Sequence, residues 1–132
     1  MDSETLAKHW VESSEESFRV MTVLFENKEY TSALFFGHLY LEKLLKGLYA
    51  KINTKEPEAP FVHDLVFLAR KCNLELDVDM RQKLGLINSF NIAARYDVIK
   101  KNFYKLCTKD FANQQIKIIK EVGEWLKKLI KK

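Results

Sequence analysis

Helix breakers are scarce in this chain. Its 132 residues hold four glycines and two prolines, and both prolines, Pro57 and Pro60, fall in the single polar stretch 53–60. With so few breakers and so much Leu, Lys, Glu and Ile, local preference favours helix and gives a strand-based fold no support. The two cysteines, Cys72 and Cys107, form no CxxC and have no histidine beside them, so no zinc pattern is present and reduced thiols are expected. Apolar runs are cut by charge well before the 18 residues a membrane span needs. The chain opens on Asp2, Ser3 and Glu4 rather than on a basic and then an apolar region, which predicts no secretory leader. Together these absences point to a cytoplasmic protein. Catalytic templates are missing too: no Gly-rich phosphate loop, no HExxH, no GxSxG and no calcium-type aspartate spacing. His9, His38 and His63 are far apart along the chain, and no histidine follows His63. No metal and no cofactor is predicted.

What is present is an ordinary globular composition for one domain spanning 1–132, 47% hydrophobic and 30% charged. The net charge of +4 gives a mild pull toward anions but falls short of a nucleic-acid signature. Much of the excess sits at the end of the chain, on Lys127, Lys128, Lys131 and Lys132, where cations suit a helix C-terminus.

Apolar periodicity predicts a first helix from about Ser3 to Phe25, with Ser3 as N-cap, and a second from about Thr31 to Ile52. The second is apolar almost all round, which predicts a central position or a subunit interface. Its one polar strip is His38, Glu42 and Lys46, with Lys43 beside it. Gly37 and Gly47 are expected to admit a neighbouring backbone. A shorter helix should follow from about His63 to Cys72, then one capped by Asp77, and a last one capped by Thr108. The helix after Asp77 carries a second polar strip, Asn88, Asn91 and Arg95. The segment from Tyr96 to Cys107 mixes Ile99, Phe103 and Leu106 with four polar residues and reads less clearly. The sum is an all-α, five-helix, up-and-down antiparallel bundle.

In chain order come Trp10, Tyr30-x-x-Ala33-x-Phe35, Glu42-Lys43-x-x-Lys46, His63-Asp64-Leu65 and Arg95-Tyr96-Asp97. This succession resembles the HEPN domain family, whose members show an early aromatic, an EKxLKA-like centre, a THDL-like helix start and an RYP-like turn. The similarity covers residues 6–130, with Val62 in place of the capping hydroxyl and Asp97 in place of the proline. The resemblance implies a helical homodimer. Many family members pair with a minimal nucleotidyltransferase in two-component, toxin–antitoxin-like modules, and some cleave RNA. The RNA-cleaving forms place a histidine shortly after the arginine that Arg95 matches. Here those positions hold Lys100, Lys101 and Asn102.

An arginine cannot exchange protons near neutral pH, and RNA cleavage needs groups that do. The pattern therefore favours a binding module over a ribonuclease. Its expected site takes a nucleotide or other phosphate-bearing ligand and draws on Arg95, Asn91, Asn88, Tyr96, Asp97, His63, Lys46, Glu42 and Lys43. The residues alone support a purely structural role for these side chains as well. No catalytic residue is assigned, RNA binding is expected to be weak and salt-sensitive, and an atypical ribonuclease and a ligand-free scaffold are the alternatives.

Overall fold

The computed structural model describes residues 1–93 and 97–132, and the side chains of all of these except 97–100. The described residues form six helices: α1 (Ser3–Glu26), α2 (Tyr30–Ile52), α3 (Leu65–Lys71), α4 (Val78–Ala93), α5 (Asp97–Leu106) and α6 (Lys109–Lys131). No helix among them is long and apolar enough to cross a membrane.

The apolar character of α2 is used within one chain. Leu34, Leu41, Leu44 and Leu45 are fully buried, and α1, α3, α4 and α6 all pack against this helix. Its circumference therefore needs no second copy to cover it. Gly47 serves the close approach expected of it: a Cβ there would lie 3.3 Å from the Trp10 Cβ and 3.5 Å from the Ala7 carbonyl oxygen. Gly37 instead makes room for the side chains of Ile119 and Met21.

Helix ends follow the polar residues beside them. Asp2, not Ser3, caps α1, its carboxylate accepting from the Thr5 amide at 2.7 Å. The Ser3 hydroxyl donates to the Ala50 carbonyl and ties the start of α1 to the end of α2. Asp77 caps α4 through the Met80 amide at 2.7 Å, and Thr108 caps α6 through the Phe111 amide at 3.1 Å, as their sequence positions predict.

The sixth helix is α5, on the segment whose pattern reads least clearly. Phe103 turns inward and meets Phe90 and Phe111, with ring centroids 5.3 and 6.4 Å away. One buried aromatic anchors this ten-residue helix while Lys101, Tyr104 and Lys105 stay exposed. An apolar pattern cut by Lys100, Lys101, Asn102 and Lys105 is hard to separate from a loop by periodicity alone.

Candidate functional site

Glu42 occupies the centre of a buried polar cluster and is 5% exposed. One carboxylate oxygen accepts from the Lys46 ammonium at 3.1 Å, four residues along the same helix face. The other accepts from His63 Nδ1 at 2.8 Å. Lys46 is itself 7% exposed, and its ammonium lies 5.5 Å from the centre of the Trp10 ring. Two of the sequence fragments, Trp10 and Glu42-x-x-x-Lys46, are thus parts of one contact. An uncompensated buried charge is costly, and the two partners of Glu42 are what make its burial tolerable.

Beside it, His38 is completely buried. Its Nε2–H donates to the His63 carbonyl at 2.8 Å, so neutral His38 carries its lone pair on Nδ1. That atom faces Glu42 at 3.9 Å and has no hydrogen-bond partner among the described residues. Burial pushes the His38 pKa down, only partly opposed by the nearby Glu42 carboxylate.

The start of α3 explains why His-Asp-Leu stands at this point in the sequence. His63 is held by both its carbonyl and its ring. Asp64, rather than a hydroxyl before it, is the N-cap: one oxygen accepts from the Val66 amide at 3.0 Å and the Phe67 amide at 3.2 Å. The same oxygen accepts from Asn88 Nδ2 at 2.9 Å, and Asn88 Oδ1 in turn accepts from the Leu65 amide at 2.8 Å. Asn88 therefore joins α4 to the head of α3, while the Leu65 side chain is fully buried.

These groups border a recess of about 180 Å³ lined by His63, Asp64, Asn88, Asn91 and Ile92. Asn91 is 5% exposed, yet its amide makes no hydrogen bond among the described residues. With Nδ1 bound to Glu42, a half-exposed His63 ring leaves Nε2 available to solvent.

Of the residues proposed from sequence, Glu42, Lys46, His63, Asn88 and Asn91 come together here. Lys43 does not join them. It turns to α1, donating to the Ser13 carbonyl at 3.3 Å and the Ser17 hydroxyl at 2.8 Å. Arg95 and Tyr96 lie outside the described residues, as does the side chain of Asp97, the first residue of α5. Two members were not among those proposed, His38 and Asp64. The sequence signal for His38 is its place four residues before Glu42 on an otherwise apolar helix. The signal for Asp64 is a capping residue directly after a histidine.

The family model for the HEPN domain matches residues 7–129. The chain belongs to the HEPN domain family. No curated protein and no solved structure matches it. At the level of the family, this HEPN domain is a helical module of nucleotide- or RNA-related function.

Proposed function

We propose that this HEPN domain is a binding module that works as a homodimer. It holds a nucleotide or other phosphate-bearing ligand and partners a minimal nucleotidyltransferase in a two-component, toxin–antitoxin-like system. The observation that carries the reading is the recess at His63, Asn88 and Asn91, backed by the buried Glu42–Lys46 pair and lined by an amide that makes no hydrogen bond among the described residues. A site built on rigid helices with a few placed polar groups is what small-ligand recognition requires. Arg95 follows Asn91 by four residues, a stretch of chain that spans at most about 14 Å, and on this reading it meets the phosphate.

Support for a second copy comes from α4 rather than α2. Val78 and Leu86 are 60% and 41% exposed on α4, and a Cβ on Gly85 would meet nothing within 4 Å. A helix surface open around a glycine leaves room for close, two-fold helix pairing. Sedimentation equilibrium should return twice 15.5 kDa at tens of micromolar, and a monomer there removes the dimer from the account.

Calorimetry with nucleoside mono-, di- and triphosphates tests the ligand. Binding should vanish in Arg95→Ala with the helical circular dichroism intact, and Arg95→Lys should restore only part of it because the bidentate fork is lost. Full-strength binding by Arg95→Ala, or no nucleotide binding at all, contradicts the proposal.

One observation favours the ribonuclease alternative: a buried carboxylate orients His63, as in acid–base catalysis. Among the described residues, the other titratable group lining the recess is Asp64, and its carboxylate is engaged in capping α3 and holding Asn88, a role that suits it poorly to protonating a leaving group. Binding is therefore the preferred reading. Metal-free RNA digestion abolished by both His63→Ala and Arg95→Ala would reverse that preference.

A further inference from the structure

The recess has a polarity, and that polarity selects one half of a nucleotide. Asp64 uses one carboxylate oxygen for three donors and leaves the other without a partner among the described residues. Glu42 draws the ring proton of neutral His63 to Nδ1, so the atom left for a ligand, Nε2, bears a lone pair. Asn88 has both ends of its amide committed, one to Leu65 and one to Asp64. Asn91 supplies an amide that can accept and donate. Among the described residues, the groups offered to a ligand are two acceptors, one of them charged, the mixed amide of Asn91 and the second N–H of Asn88. Ile92, 48% exposed at the rim, adds an apolar surface.

A phosphate is the wrong occupant for such a lining. Its oxygens are acceptors, and its charge would face the Asp64 carboxylate directly. A neutral face rich in hydrogen-bond donors is the right one. On the nucleotide-binding reading above, from which this follows, we infer that the recess takes the nucleoside half of the ligand. Donors from the ribose hydroxyls or from an exocyclic amine of the base meet Asp64, His63 Nε2 and Asn91, and the base packs on Ile92. The phosphate lies outside the recess.

Asn91 separates binding from folding. Its amide bonds to none of the described residues, so exchanging it for an apolar residue of similar volume should leave the fold at least as stable. Asn91→Leu is expected to melt no lower than the wild type and to lose at least tenfold in affinity. Asp64→Asn retains a good N-cap while replacing a charged acceptor with an amide, and the same tenfold loss is expected. A merely structural role for Asn91 would instead lower the melting temperature.

The test is nitrogen–proton NMR of the full chain, following the Asn91 side-chain amide and the His63 ring. Titrants are the four ribonucleosides, their monophosphates and inorganic phosphate, with 2′-deoxyadenosine and inosine to tell hydroxyl from amine donors. At least one nucleoside and its monophosphate should shift both signals at equal concentration, whereas inorganic phosphate should shift neither. Phosphate moving the Asn91 amide while no nucleoside does so overturns the inference. Monophosphates that shift only signals remote from Asn91 also overturn it and leave nucleotide binding standing. If no titrant shifts any signal, the inference and the nucleotide-binding proposal fall together.

Discussion

Two acid–lysine pairs of identical spacing lie on α2 and α4, and they have opposite surroundings. Glu42 and Lys46 are 3.1 Å apart with side chains 7% and 8% exposed. Asp79 and Lys83 are 2.9 Å apart with side chains 72% and 35% exposed. In the sequence both are an acid followed four residues later by a lysine, the ordinary helix-surface pattern. Water and dissolved salt do most of the work of solvating the second pair. The first pair has only its neighbours, so each member depends on the others. The difference teaches that spacing identifies partners, whereas the apolar residues around them decide what the partnership is worth.

The largest effect should come from breaking the buried pair. Glu42→Ala strands Lys46 in the interior and takes the acceptor from His63, and about 3–5 kcal/mol of stability is expected to go with it. Asp79→Ala should leave the melting temperature within experimental scatter, because the pair is exposed and screened. Chemical denaturation of the two variants checks both, and comparable losses would erase the distinction between the regions.

A second variant sharpens the point. Removing both charges together, as Glu42→Leu with Lys46→Met, leaves no orphaned ion and should recover more than half of the loss seen in Glu42→Ala. His63 is half-exposed and can turn to water for its missing partner. A double variant as unstable as the single one would mean that the pair itself, not the orphaned charge, accounts for the loss.

Much of the scaffold can be read from the sequence, and the reason is local. Caps at Asp77 and Thr108, the apolar face of α6 and the central place of α2 depend on residues within a turn or two of each other. The site is less legible because its contacts join distant positions. His38 and His63 are 25 residues apart, and Asn88 and Asp64 are 24 apart. The strip His38, Glu42, Lys46 is visible as a polar line on an apolar helix, but its spacing is equally that of a surface pair. Lys43, adjacent in sequence, shows the ambiguity: one residue further round the helix, it faces α1 and serves packing there. The apolarity of α2, which suggests a central position or a subunit interface, sets it against four helices of its own chain.

A smaller effect concerns acid. The pKa of His38 is lowered in the folded state from its ordinary 6.5, mainly by burial, so the unfolded chain binds the proton more readily. Stability from this group is therefore complete above about pH 6.5 and is lost as the pH falls from there through the lowered folded value, at up to about 1.4 kcal/mol per pH unit. His38→Gln keeps a side-chain donor for the His63 carbonyl and should flatten this part of the stability–pH curve. Equal slopes in wild type and variant would show that other groups govern the acid limb.

The buried Glu42 carboxylate faces Nδ1 of His63 and leaves Nε2 toward a ligand, and long-range nitrogen–proton NMR of the imidazole rings reads that directly. At a pH where both rings are neutral, His63 should carry its proton on Nδ1, facing Glu42, and His38 should carry its proton on Nε2, facing the His63 carbonyl. The Glu42→Gln variant should weaken the preference at His63 and leave His38 unchanged. Finding His63 protonated on Nε2 in the wild type would contradict the account, because the recess would then present a donor where it is claimed to present an acceptor.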